Sequence, residues 1–163
     1  FNEDIDLWHS EAKESLRSYS KKYYDSFSQN CNDYFYIPHR KERRGVGGIF
    51  FDNTKHISIE KSIEMLAAIA QSYANSYSEI IKRRTKTPFF KEDKEFQSLR
   101  RGRYVEFNLV NDRGTAFGLQ SNGRIPSILA SLPLNASWKY KKDKIMELRE
   151  KKLIKNINRD WNV

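Results

Sequence analysis

Apolar residues open the chain at Ile5, Trp8, Ala12 and Leu16, with polar residues between them. That spacing keeps returning to one face of a 3.6-residue period and predicts a helix over residues 3–17. A second series, Tyr23, Phe27, Cys31 and Tyr34, has the same period. Pro38 bounds it, because the residue before a proline is driven out of the α region. Gly45, Gly47 and Gly48 then lead into Ile49, Phe50, Phe51 and Asp52, an apolar run that predicts a short strand. Ser58 is an N-cap residue for a longer helix to Arg84, with Met65, Leu66, Ile69, Tyr73, Tyr77 and Ile80 along one face. Pro88 closes that region, and a short charged helix is expected to end near Gly102.

At Tyr104 the period changes to two. Tyr104 to Val110 alternates, "NDRG" supplies turn chemistry, and Thr115 to Gln120 runs back, which predicts a hairpin. Tyr104, Glu106, Asn108 and Val110 would share one face, and Val105, Phe107 and Leu109 the other. "SNG" makes a second turn, "IPSILASLP" reads as a short helix between prolines, and a polar helix-forming tail finishes at Trp161. There is no internal repeat and no low-complexity tract. Helices around an antiparallel sheet make the expected fold class α+β, in one domain or part of one.

Composition narrows the class. Hydrophobic residues are 38% and aromatic ones 13%, which excludes a disordered chain despite the charge content. No apolar run reaches the length of a membrane span. Cys31 is the only cysteine, so an intrachain disulfide and a thiolate zinc cluster are excluded. A reducing, cytoplasmic setting fits, and Cys31 in its helical series reads as a small buried hydrophobe. The chain starts at Phe1 rather than methionine, as a piece of a longer protein would.

The net charge is +9, in two kinds of region. The lysines from Lys139 to Lys155 read as a solvated helix face, because ammonium groups are strongly hydrated. The arginines cluster instead at Arg40, Arg43 and Arg44 and again at Arg100, Arg101, Arg103, Arg113 and Arg124. Their planar forks match carboxylate or phosphate. Nucleic acid fits poorly, since Glu106 would share a strand face with Tyr104 and repel phosphate from a stacking surface. A phosphate loop fits poorly too, because the glycines of "RGVGG" precede a strand rather than opening a helix. His9, His39 and His56 lack the spacing of a metal motif. What remains is a carboxylate-bearing ligand with an apolar body, gripped by arginines that converge at one sheet edge. The competing reading for single arginines is local ion pairing, Arg113 with Asp112 or Arg103 with Glu106.

"YFYIPHRKERRGVGGIFFD" (34–52), "LRRGRYVEFNLVNDRGTAFGLQSNGR" (99–124), "SILASLPLNASWKY" and the closing "RDW" resemble the oxygen-dependent coproporphyrinogen III oxidases. The resemblance runs from "FNEDIDLWH" to the tail. It implies a large flat antiparallel sheet flanked by helices on both faces, with residues 1–163 as the C-terminal part of a single domain. It implies a homodimer that oxidatively decarboxylates two propionates of coproporphyrinogen III to vinyls, giving protoporphyrinogen IX for haem. O2 would be the co-substrate, and no cofactor is required beyond a divalent metal in some members. By the same resemblance Asn122, Gly123 and Arg124 occupy a substrate-binding "GGR" position, and Arg44 and Arg113 fall on active-site arginines. His39 falls on a histidine tied to dimerisation and, in bacterial members, to metal.

Three departures follow. Asn122 replaces a glycine, which asparagine tolerates because it enters left-handed conformations readily. Leu7 stands where bacterial members carry a further metal-binding histidine. The family's "H-A-N-x-R" proton donor and "F-D-L-T-P" aspartate have no counterpart here. No catalytic residue is therefore expected in this chain, which would need the N-terminal half of the same enzyme and be inactive alone. The resemblance allows the cytoplasm or the mitochondrial intermembrane space. The alternative function is a non-catalytic porphyrin- or anion-binding module.

Overall fold

A computed structural model describes residues 1–54 and 57–161; the expectation for His56 lies outside them. Helix α1 (Asn2–Arg17) packs along the long α3 (Ile59–Arg84), and α2 (Tyr23–Tyr34) lies against α1. All three match the apolar periodicity. Ser58 caps α3 as expected, its hydroxyl accepting from the Lys61 amide at 3.3 Å. Leu16, Tyr24, Phe27 and Met65 form the core between these helices, with Ile49, Phe51 and Ile69 packed against it.

After α2 the chain makes two short strands, β1 (Tyr36–Ile37) and β2 (Glu42–Arg43), paired antiparallel with Ile37 opposite Glu42. One turn of 3-10 helix, Pro38–Arg40, and the left-handed Lys41 (φ 54°) join them. Among the described residues this two-stranded ribbon is the whole sheet. The expected large flat antiparallel sheet is therefore overturned: the described chain is a helical assembly.

Two local corrections explain why. Ile49 to Asp52 forms no strand; its Phe50 amide donates to the Phe27 carbonyl at 3.0 Å, and Phe51 stacks on Phe27 at 4.2 Å. The expected hairpin is two helices, α4 (Lys91–Val110) and α5 (Arg113–Gln120). Residues 104–110 alternate in polarity, yet Leu99, Gly102, Arg103 and Phe107, at steps of three, one and four, are among the buried residues. The helical period wins because it gathers all four onto one face, whereas a period of two would put Gly102 opposite the others. Gly102, expected near a helix end, sits inside α4, where a Cβ would lie 2.6 Å from the Ser137 carbonyl. Close approach, not chain termination, is its role.

Asp112 caps α5, accepting from the Thr115 amide at 2.8 Å, so "NDRG" turns the chain between helices rather than between strands. The "SNG" turn is present, with Asn122 left-handed at φ 58°. "IPSILASLP" contributes a single turn, α6 (Ile125–Ile128), and the basic tail forms α7 (Lys144–Ile157). Among the described residues no helix is long and apolar enough to cross a membrane.

Candidate functional site

A cleft of about 610 Å³ opens between α1, α2, α3 and the glycine loop. Trp8 and Ala12, Cys31 and Phe35, and Leu66, Ile69 and Tyr73 give it apolar walls, and Arg43 and Arg44 line it as well. That mixture of volume, apolar lining and few polar groups is what a small-molecule site requires. The Arg44 guanidinium lies 4.0 Å from the Phe35 ring centre and 5.0 Å from those of Tyr104 and Phe107. It makes no ion pair among the described residues. Burial draws its pKa below the ordinary arginine value, so the cation is held by aromatic faces in place of water. Cys31 is buried beside it, and burial pushes its thiol up, which keeps it an unreactive lining group.

Arg113 lies against Tyr34, the ring next to the Phe35 that Arg44 covers. Its guanidinium covers the Tyr34 ring at 4.8 Å and reaches Asp52 at 3.3 Å, at the edge of a second hollow lined by Tyr34, Phe50 and Phe51. Its partner is thus Asp52, not the neighbouring Asp112. Tyr34 donates its hydroxyl proton to Asp112 at 2.9 Å and accepts the Arg113 amide at 3.2 Å. Arg124 is exposed at the N-cap of α6, with Asn122 exposed and Gly123 half-buried in the preceding turn. These three line neither the cleft nor the second hollow. The fold brings Arg44 and Arg113 onto two touching rings, Phe35 and Tyr34, and leaves Arg124 elsewhere.

His39 stands on the 3-10 turn, its Nε2 2.8 Å from Glu106. Glu106 is a hub, of which the sequence pointed only to the pairing with Arg103. It accepts two bonds from Arg40, at 2.6 and 2.7 Å, one from Trp138 Nε1 at 2.8 Å, and one from Arg103 at 3.3 Å. The Arg40 fork, first, then His39 and Trp138, bring its carboxyl down to about 2. A cation at His39 would compete for oxygens already held by two guanidinium groups, so these residues do not fit a metal site. His9 is buried with both ring nitrogens engaged. Among the described residues no three His, Cys, Asp or Glu side chains are grouped to hold a metal.

Glu42 and Glu150 are a second pair that the sequence did not flag. Arg100 bridges them at 2.8 and 3.3 Å, Arg103 lies 3.3 and 3.5 Å from them, and Lys142 bonds Glu150. The Arg103–Glu106 pairing anticipated as a local ion pair is present, at i,i+3 on a helix. An arginine run broken by a carboxylate three residues on was the available signal for this network.

The family model of coproporphyrinogen III oxidase matches residues 1–162, essentially the whole chain. With an arginine-lined apolar cleft beside that match, the chain belongs to the coproporphyrinogen III oxidase family.

Proposed function

We propose that the chain supplies a carboxylate-holding cleft to an enzyme that converts two propionates of coproporphyrinogen III to vinyls, giving protoporphyrinogen IX with O2 as oxidant. The observation that carries this reading is Arg44, a half-buried guanidinium among three rings in a mostly apolar cleft, with no carboxylate partner among the described residues. A propionate supplies the missing anion, and the pyrrole ring that carries it lies along the apolar wall. In each turnover the bond between the carboxylate carbon and the side chain breaks, and CO2 leaves. Its electron pair forms the vinyl double bond as a hydride equivalent leaves the carbon next to the ring. O2, that hydride and one proton give hydrogen peroxide.

Arg44 orients and neutralises the carboxylate; guanidinium does not exchange protons near neutral pH. Among the described residues, those lining the cleft include no aspartate, glutamate or histidine. We propose that the proton is handled by groups of the rest of the enzyme, and that the chain alone binds without turnover. The enzyme works as a homodimer, a reading supported by the exposed apolar residues Ile59, Ile63, Tyr77 and Ile81 along α3. Its setting is a reducing one such as the cytoplasm. Titration with coproporphyrin III, the stable oxidised tetracarboxylate, tests the cleft. Arg44→Ala weakens binding by about one to two decades, the worth of a buried charge-assisted pair. Unchanged affinity sinks the reading. Aerobic assay of the chain alone, then with the rest of the enzyme added, tests where the chemistry lies; turnover by the chain alone contradicts it.

A further inference from the structure

We propose that His9 is a positioning residue for the Arg44 cleft, tying the glycine loop that follows Arg44 to α1 and α2. This rests on the porphyrinogen-binding reading of that cleft. His9 is 5% exposed, and its Nε2 lies 2.9 Å from the Val46 carbonyl. A carbonyl only accepts, so Nε2 carries the proton, and Nδ1 accepts from the Tyr24 hydroxyl at 2.8 Å. Burial lowers the imidazole pKa and raises the Tyr24 phenol to about 12, so both groups keep the protons this chain of bonds needs. Trp161 closes the ring's other side, stacked at 6.1 Å and 10°.

Gly47 and Gly48 have φ of 79° and 150°, and a Cβ on either would meet Asn32 or Trp8 at 3.0 Å. Trp8 Nε1 donates to the Gly47 carbonyl at 3.2 Å. Adjacent residues of α1 thus hold adjacent loop carbonyls, two and three residues beyond Arg44. His9 does not line the cleft. It acts through the loop.

The test is coproporphyrin III binding to His9→Leu and His9→Gln, each alone and combined with Arg44→Ala. Loss of the Val46 bond in His9→Leu weakens binding about threefold to tenfold, while His9→Gln, which keeps a donor in reach, restores it. In the Arg44→Ala background the His9→Leu effect disappears, because the loop then has no guanidinium to place. Wild-type affinity in His9→Leu, failure of glutamine to rescue, or an undiminished effect without Arg44 each overturns the proposal. Where His9→Leu does not fold, Tyr24→Phe decides by the same criterion of an effect that vanishes without Arg44. Arg44→Ala alone at wild-type affinity defeats the cleft reading instead, which separates the two failures.

Discussion

Glu106 shows how much one carboxylate can organise. Its side chain is 12% exposed, and its pKa falls from 4.5 to about 2 because Arg40, His39 and Trp138 hold the ionised form. The folded pKa lies below the unfolded one, so the stabilisation is fully present above about pH 4.5 and is lost as pH falls toward about 2. Glu106→Gln should remove that acid-limb dependence and cost about 3 kcal/mol near neutral pH, read from denaturant midpoints at stepped pH. An acid limb identical to wild type counts against the assignment. Asp112 is a simpler case: it caps α5 and accepts the Tyr34 hydroxyl. Asp112→Ala should cost about 1–2 kcal/mol, the usual range for a lost N-cap. Arg113→Lys should leave the melting temperature unchanged, because its Asp52 pairing is exposed on both sides.

At the scale of elements, α4 decides the architecture. It carries Arg100, Arg103, Glu106 and Phe107 to the centre, and Gly102 lets the 137–138 segment lie on its backbone. Gly102→Ala would raise helix propensity by about 1 kcal/mol on an exposed surface. Here the added methyl meets a backbone carbonyl at 2.6 Å, and backbone yields less readily than a side-chain tip. The expected net result is a loss of about 1–3 kcal/mol in chemical denaturation. A stabilised variant would mean that residues 137–138 do not lie on α4.

Across the whole molecule, β2, α4 and α7 meet through Glu42, Arg100, Arg103 and Glu150 rather than through a continuous apolar layer. Glu42 is 3% exposed, so Glu42→Ala leaves Arg100 with Glu150 and Arg103 with Glu150 and Glu106. Breaking such a buried network costs about 3–5 kcal/mol, whereas the exposed Glu14–Arg17 pair contributes nothing of that order. Thermal unfolding of Glu42→Ala beside Glu14→Ala compares them; equal midpoints would show that the network does not weld the elements together.

Local pattern determined α1, α2 and α3, down to the Ser58 cap, because helix spacing and capping act over only a few residues. It also located Arg44 beside aromatic residues, the turn at Asn122, and the residues that match the coproporphyrinogen III oxidase family. It did not determine residues 104–120. Tyr104 to Val110 satisfies a period of two and a period of four together, and intrinsic propensity does not separate them. Tertiary structure decides, because Glu42 and Glu150 meet Arg103, Phe35 and Tyr34 meet Phe107, and the 137–138 segment meets Gly102 only along one helix face. For the same reason Glu106, Glu42, Glu150 and His9 were not legible as organising residues. Each bonds across dozens of positions, and the energy that selects it exists only after distant segments have met.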